Sequence, residues 1–268
     1  MKYRLLFSDI DGTLRPGLLP QVPLPNVEAI QAVQRHGVRF AIATGRPRSG
    51  IPAGTLNGLQ PDYWICAAGA QVLDREENMI ASSRMEPEQM DALISFCAER
   101  GHPLTFAFSD GIYAYTGYDY LQRWAAERNV PLYFKNGESM TQHQVEMPFS
   151  ASAHIPPEEA ELFQARYGHL GLRFIYYFGS ISCDILRPGQ DKAQGLALLM
   201  EHTGMRAEEC VSVGDGNNDV GILKAAGLGF CVEGGEPDAL AAADRICPPA
   251  EEFGVAAVCR MVWPEAML

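Results

Sequence analysis

Three clusters of polar residues in this sequence each follow a short apolar run and combine carboxylates, hydroxyls and glycines. The clusters are Asp9-Ile10-Asp11-Gly12-Thr13, Thr44-Gly45-Arg46 and Gly214-Asp215-Gly216-Asn217-Asn218-Asp219, and Lys192 precedes the third. Crowded carboxylates repel one another, and a hard cation such as Mg²⁺ resolves that repulsion. Glycines let backbone N–H groups approach an anion, and a lysine adds a positive charge. These residue types predict a phosphate site with Mg²⁺ near Asp9, Asp11 and Asp215.

Asp9 is the candidate nucleophile of this group. A carboxylate held in line with phosphorus can form an aspartyl-phosphate. Each cluster alone is compatible with an ordinary turn, and the first lacks the later acidic positions of an EF-hand calcium loop. Their joint occurrence after strands is what indicates chemistry. No G-x-G-x-x-G follows the first strand, which argues against a dinucleotide-binding oxidoreductase.

The elements that must position these residues alternate between strands and helices. The expected strands are 3–8, 38–43, 210–213 and 228–232. One expected helix begins at Asn26 as its N-cap, and two others cover 192–202 and 220–226. Such alternation predicts an α/β fold with a doubly wound, Rossmann-like parallel sheet. In open sheets of this kind, ligands bind beyond the carboxyl ends of the strands, where the three clusters lie.

The middle of the chain follows a different pattern, in which a helix is twice followed by a hairpin. The expected helices are 87–100 and 156–167, and the expected hairpin strands are 104–108 with 112–116 and 172–177 with 181–186. This order predicts an α+β insert with an antiparallel sheet. We therefore expect a Rossmann-like catalytic core at residues 1–81 and 189–268, and an inserted α+β cap at residues 82–188.

Composition and charge limit the classes of partner. The 268 residues carry a formal net charge of −12, which repels nucleic acid and anionic membranes, so neither is an expected partner. The first apolar stretch ends at Asp9, too early for a signal peptide, and no later stretch is long enough to cross a bilayer. A cytoplasmic location is expected. Seven cysteines without C-x-x-C spacing favour reduced thiols over a zinc site or a disulfide framework.

At these residues the sequence resembles the haloacid dehalogenase-like superfamily of phosphatases, and within it the Cof-like branch. The resemblance covers essentially the whole chain. The matching segments are Phe7–Leu14, Ala43–Arg46, Pro188–Lys192, Gly214–Asp219 and Phe253–Ala256. The chain departs from the family at Ala68, because Ala68-Gly69-Ala70 stands where the family often has Asn-Gly-Ala. The missing amide concerns substrate preference rather than the reaction.

The resemblance implies roles for the acidic motif residues. Asp9 would attack phosphorus, while Asp11 would protonate the leaving oxygen and then deprotonate the hydrolytic water. Mg²⁺ would be held by Asp9, the backbone carbonyl of Asp11, and Asp215. Asp219 would orient Lys192 or a metal-bound water. The residues that would bind the phosphoryl oxygens are Gly12, Thr44, Gly45, Lys192 and Asn218.

The expected function is Mg²⁺-dependent hydrolysis of small phosphate monoesters, such as sugar phosphates or related metabolites, through an aspartyl-phosphate on Asp9. Two alternatives stay open: a phosphotransferase or phosphomutase that uses the same intermediate, and a non-enzymatic phosphate-binding regulator. The expected partner is a small phosphorylated metabolite, bound by a monomer or homodimer. The cap is expected to close over the site and select the leaving group. Its candidate selectors are Tyr113, Tyr115, Tyr118, Arg123, Tyr176 and Tyr177.

Overall fold

The computed structural model of the protein describes residues 2–17, 19–128, 134–176 and 180–267. The chain divides into two compact units. The first comprises Met1–Gly45, Ala53–Ala81 and Asp191–Leu268, and the second comprises Arg46–Pro52 and Ser82–Gln190. The α/β fold class is confirmed. The assignment of residues 1–81 and 189–268 to a catalytic core, and of 82–188 to a cap, stays a prediction.

Strands and helices alternate along the chain. The strands are β1 (Leu5–Ser8), β2 (Arg39–Ala43), β3 (Tyr63–Cys66), β4 (Gln71–Asp74), β5 (Met79–Ser82), β6 (Leu104–Phe108), β7 (Gly111–Thr116), β8 (Phe134–Asn136), β9 (Ser150–His154), β10 (Arg173–Tyr176), β11 (Ser182–Leu186), β12 (Cys210–Gly214), β13 (Leu228–Val232) and β14 (Arg245–Cys247). The helices are α1 (Leu24–Arg35), α2 (Pro87–Arg100), α3 (Tyr118–Glu127), α4 (Pro157–Tyr167), α5 (Lys192–Thr203), α6 (Val220–Ala225), α7 (Pro237–Ala242) and α8 (Gly254–Val262). Within the described ranges, no helix is both long enough and apolar enough to cross a membrane.

The first unit is organised around a sheet with the order β14-β13-β12-β1-β2-β3-β4-β5. The pairs from β14 to β3 are parallel, and β4 is antiparallel to β3. The chain winds outward from β1 to β3 on one side and from β12 to β14 on the other. The winding therefore reverses between β1 and β12, the point at which open α/β sheets bind ligands.

Strand β1 is buried along its whole length, as its uninterrupted apolar sequence predicts for a central parallel strand. Its Leu5 and Phe7 pack with Leu196 and Leu199 of α5 in one hydrophobic cluster. The alternate residue Leu6 is also fully buried. Burial on both faces fixes the position at which β1 ends, and with it the position of the acidic turn that follows.

Helix α1 begins two residues before the expected N-cap. It starts at Leu24, with Pro25 in its first turn, where a missing N–H costs nothing. Asn26 is fully buried and does not cap the helix. Its Nδ2 donates to the Leu14 carbonyl at 2.8 Å, and its Oδ1 accepts from the Ala256 N–H at 2.9 Å. The N-cap prediction was wrong because Asn26 ties the first acidic loop to α8 instead.

The second unit contains a sheet with the order β10-β11-β9-β6-β7-β8. Its pairs are antiparallel except β7 with β8, which are parallel and connected through α3. The expected hairpin of β6 and β7 forms, and β10 pairs with β11 as expected. Helices α2 and α4 cover this sheet through Phe96 and Phe163. Tyr177, expected in the first strand of the second hairpin, lies outside the described residues.

Gly195 lets α5 approach β3 closely, and a substitution there tests this packing. A Cβ at Gly195 would lie 2.4 Å from Ile65 Cγ2 and 3.1 Å from Gly69 Cα. We expect Gly195→Ala to lower the free energy of unfolding, because overpacking costs about 1–3 kcal/mol. Helix propensity alone would favour alanine by about 1 kcal/mol. Urea denaturation measures the net change.

The matched control is the reverse exchange, Ala197→Gly, at an exposed position of the same helix. This variant changes helix propensity without changing buried packing, so it should lower the free energy of unfolding by about 1 kcal/mol. A Gly195→Ala protein that is as stable as the wild type, or more stable, would contradict the close approach of α5 to β3.

Candidate active site

Asp9 stands at the carboxyl end of β1 and is held there by backbone contacts. Its N–H donates to the Val213 carbonyl at 3.0 Å, and its own carbonyl accepts from Ser8 Oγ at 2.8 Å. The side chain is 9% exposed, and Lys192 Nζ lies 3.1 Å from Asp9 Oδ1. This contact has the distance of an ion pair but not the alignment of a hydrogen bond, since Asp9 Oδ1 accepts none from the described residues. The oxygen is therefore buried beside a cation but accepts no well-aligned hydrogen bond from those residues.

Lys192 is the first residue of α5, and Asp191 caps the helix by accepting from the Gln194 N–H at 2.7 Å. The ammonium group is fully buried and donates to Asp219 Oδ1 at 2.6 Å. Burial alone would lower the pKa of Lys192, but the charges of Asp219 and Asp9 outweigh it and raise the pKa above its usual value. Lys192 is therefore a permanent cation at this site.

Asp219 connects that cation to the loop after β12. One carboxylate oxygen accepts from Lys192, and the other accepts from the backbone N–H groups of Asp215 and Gly216, both at 3.1 Å. The residue is 1% exposed. Because both oxygens are engaged, Asp219 is built to hold Lys192 and the loop in place.

Asp215 lies where the loops after β1 and β12 meet. Its Oδ1 accepts from Thr13 Oγ1 at 2.5 Å. Gly12 has a φ of +80°, and a Cβ there would lie 2.4 Å from Asp215 Oδ2. Burial and then repulsion from Asp219 raise the pKa of Asp215 to about 6, against the lowering effect of the Thr13 bond. Only glycine at position 12 allows the Asp215 carboxylate to lie this close to the backbone.

Carboxylate oxygens of Asp9, Asp215 and Asp219 lie within 4.8 Å of one another. Burial raises the pKa of Asp9 well above its ordinary value; Lys192 opposes this shift, while the neighbouring carboxylates add to it. A crowded, desolvated set of acids that includes one buried oxygen without a hydrogen bond from the described residues fits a divalent cation. Since Asp219 is already committed to Lys192 and the loop, Asp9 and Asp215 are the carboxylates that fit such an ion.

Asp11 lies on the more exposed side of the same loop. Its side chain is 29% exposed, and its Oδ1 accepts from Arg15 Nε at 3.1 Å and from Arg15 Nη2 at 2.7 Å. The sequence assigned no role to Arg15, or to Thr13 beyond its place in the first motif. A spacing of four residues between Asp11 and Arg15 was the available signal, but that spacing is common in loops without any contact.

The remaining phosphate-binding candidates lie on neighbouring loops of the first unit. Thr44 is buried directly after β2; its N–H donates to the Ile65 carbonyl at 2.8 Å, and its carbonyl accepts from the Ala68 N–H at 3.1 Å. Gly45 follows Thr44, and Asn218 is partly buried between β12 and α6. Ala68 has a φ of +49°, a conformation that alanine rarely adopts. Thus β1, β2 and β12 all end in residues predicted for the site.

Two of the selector candidates of the second unit, Tyr113 and Tyr115, have structural contacts of their own. Tyr115 is buried against Phe106 and Phe108, and its hydroxyl accepts from the His143 N–H at 3.1 Å. Tyr113 donates its hydroxyl to an Asp110 carboxylate oxygen at 2.6 Å. Tyr177 lies outside the described residues. Tyr115 is therefore a core residue of this unit.

The fold and this cluster agree with comparisons to known proteins. Residues 6–258 match the haloacid dehalogenase-like hydrolases, and the chain belongs to that family. A solved structure of a subclass IIB sugar phosphatase of this superfamily has a TM-score of 0.83 and 25% identity, covering 96% of this chain and 98% of the other. The resemblance to this superfamily seen in the sequence is thereby confirmed. Family members generally use a divalent metal, in keeping with the acidic cluster.

Two sequence relatives extend the comparison. YxeH of Bacillus subtilis, named as a phosphatase, is 24% identical over 95% of this chain and 96% of its own length. A Streptococcus pyogenes protein, named as a bifunctional phosphatase and peptidyl-prolyl cis-trans isomerase, is 24% identical over 95% of this chain but 53% of its own length. The chain spans about half the length of that relative and of another from Arabidopsis thaliana.

Removal of the Asp219 carboxylate tests the buried ion pair. We expect Asp219→Ala to lower the free energy of unfolding by about 3–5 kcal/mol, because it leaves Lys192 buried beside fewer charges. Urea denaturation measures the change. The control in the same unit is Arg75→Ala, which removes an exposed contact to Asp62 and should cost no more than about 1 kcal/mol. Equal effects of the two substitutions would contradict the special weight of the buried pair.

The raised pKa of Asp215 predicts a pH dependence of stability in metal-free protein. The folded state holds this proton more tightly than the unfolded chain, so the contribution is full below pH 4 and is lost as pH rises through about 6. In EDTA, the difference in free energy of unfolding between wild type and Asp215→Asn should fall by about 2–3 kcal/mol from pH 4 to pH 7. Urea denaturation at each pH measures it. A difference that is constant with pH would refute the shift.

Proposed function

We propose that the protein hydrolyses small phosphate monoesters with Mg²⁺, through an aspartyl-phosphate formed on Asp9. The observation that carries this proposal is the state of the Asp9 carboxylate. It is buried at the reversal point of the sheet, 3.1 Å from the Lys192 ammonium, and Oδ1 accepts no hydrogen bond from the part of the chain that the structure describes. A carboxylate that is held in place and gives up no hydrogen bond to do so is suited to attack phosphorus.

Asp9 must be ionised to act as a nucleophile, whereas burial raises its pKa. Lys192 lowers the pKa of Asp9, but its single charge is shared with Asp219. A second source of positive charge would therefore stabilise the ionised form of Asp9. We propose that Asp9, the backbone carbonyl of Asp11, and Asp215 hold Mg²⁺. When bound, the ion would neutralise these groups and a phosphoryl oxygen.

The proposed reaction has two steps. First, an Asp9 carboxylate oxygen bonds to phosphorus while the bond from phosphorus to the leaving oxygen breaks, and Asp11 gives its proton to that oxygen. Then Asp11 takes a proton from water, the water oxygen bonds to phosphorus, and the bond from Asp9 to phosphorus breaks. One residue thus acts as acid and then as base.

The proposed phosphate-binding groups supply the charge that the protein as a whole lacks. A net charge of −12 repels a phosphate ester, so local donors must compensate. Lys192 provides a cation oriented by Asp219. The other donors that we propose are Thr44, Asn218, and the backbone N–H groups of Gly12 and Gly45. Preorganised donors of this kind stabilise the charge of the transition state.

The substrate class that we propose is a small phosphorylated metabolite, with sugar phosphates as the first candidates. Similarity to a subclass IIB sugar phosphatase along nearly the whole of both chains supports this choice. Free phosphate, measured beside sugar-phosphate isomerisation, separates hydrolysis from a mutase reaction. Absence of both across a broad ester panel with Mg²⁺ would favour a phosphate-binding regulator.

The nucleophile assignment is tested by Asp9→Asn with p-nitrophenyl phosphate as substrate. We expect loss of phosphate release by more than about 10³-fold, the upper range for loss of one preorganised donor, because the nucleophile itself is removed. The matched control is Ser8→Ala, which removes the neighbouring hydroxyl bond and leaves the carboxylate.

EDTA should abolish the activity of the wild type, and Mg²⁺ should restore it. An active Asp9→Asn protein, or full activity in EDTA, would overturn the proposal.

A further inference from the structure

Arg15 is a fully buried arginine that the mechanism above does not use. Its guanidinium donates through Nε and Nη2 to one oxygen, Asp11 Oδ1, at 3.1 Å and 2.7 Å. Nη1 donates to the Leu19 carbonyl. Burial of a guanidinium is costly unless its donors are satisfied, and here three of them have fixed acceptors. Arg15 is thus rigidly placed beneath the partly exposed Asp11.

The backbone of the same loop holds the two residues side by side. The Gly12 N–H donates to the Arg15 carbonyl at 3.0 Å, and the Arg15 N–H donates to the Ile10 carbonyl at 3.0 Å. Asp11 and Arg15 thereby form an isolated β-bridge. The loop returns on itself, and this brings Arg15 next to Asp11.

Both donations from Arg15 go to Oδ1 of Asp11, so one end of this carboxyl group is held in place. A fixed guanidinium plane also fixes the orientation of the carboxyl group.

We propose that Arg15 is a positioning residue that holds the carboxyl group of Asp11 in the orientation in which it acts on the leaving group. This inference rests on the function proposed above. The proton of Asp11 passes to the leaving oxygen as the bond from that oxygen to phosphorus breaks, and the electrons of the O–H bond remain on Asp11. Arg15 exchanges no proton in this step. Its contribution is the orientation of the acid, which matters in proportion to how strongly the leaving group needs protonation.

The test compares phenyl phosphate with p-nitrophenyl phosphate, two esters of similar shape. Nitrophenolate departs as a stabilised anion, whereas phenolate departs readily only when protonated. We expect Arg15→Gln to lower kcat/KM for phenyl phosphate by about 10–100-fold, but for p-nitrophenyl phosphate by less than about 3-fold, since general acid catalysis contributes at least this much. kcat/KM reports the first step alone, so the later role of Asp11 as base does not obscure the comparison.

The Asp11→Asn background shows whether Arg15 acts through Asp11. Asp11→Asn should show the same selective loss, and adding Arg15→Gln to it should increase the selectivity by no more than about 2-fold, because the two residues form one unit. Asn26→Ala is the structural control. It removes the bond to the neighbouring Leu14 carbonyl, so it should lower Tm without changing the ratio of the two substrates.

Arg15→Lys keeps the charge but cannot offer two coplanar donors, and it carries the comparison if the glutamine variant does not fold. A selective loss in either variant supports the proposal. Equal losses on both esters, a gain on phenyl phosphate, or a loss that is undiminished in the Asp11→Asn background would overturn it. If Asp9→Asn remains active, the proposed function fails; if Asp9→Asn is inactive and Arg15 variants are unselective, the Arg15 inference alone fails.

Discussion

The contact between Lys192 and its two carboxylate partners is the interaction on which the rest of the site depends. A fully buried ammonium lies 2.6 Å from Asp219 and 3.1 Å from Asp9, although charges removed from water are stable only when they are paired. Helix α5 supplies the lysine at its first turn, while β1 and the loop after β12 supply the acids. The pairing therefore fixes three distant parts of the chain at one point.

Each acidic residue of the site is distinguished by its partner. Asp219 is engaged by Lys192 and two backbone N–H groups, and Asp11 is engaged by Arg15. Asp215 accepts from a neutral hydroxyl, and Asp9 keeps an oxygen without a hydrogen bond among the described residues. Four similar side chains thus have four different environments. Differences in environment of this kind are what the separate roles proposed for these residues require.

The sheet topology explains why these environments meet. β1 and β12 are parallel neighbours although about two hundred residues separate them, and the Thr13 bond to Asp215 spans their two loops. The chain reverses its winding between these strands, which leaves a crevice beyond their carboxyl ends. The family to which the chain belongs uses this architecture for hydrolysis, and nothing in the described geometry conflicts with that chemistry.

Local sequence patterns determined most of the secondary structure and the fold class of this protein. Apolar runs that end in acidic turns specified the strands, and alternation with helices specified the α/β class, because both depend on short-range periodicity. The order of the four motifs indicated which residues carry chemistry. The first hairpin of the middle segment was predicted around Ser109, Asp110 and Gly111 between two apolar strands, and β6 pairs with β7 there.

Other features were decided only by the tertiary structure. Asn26 looked like a helix cap but ties the Leu14 carbonyl to α8, and Arg15, to which the sequence assigned no role, is buried and donates to Asp11. Residues 46–52 group with the second unit, although they begin with the last residue of the second motif. The physical reason is the same in each case. Local pattern sets which element forms, whereas the partner of a polar side chain depends on what long-range packing brings within hydrogen-bond distance.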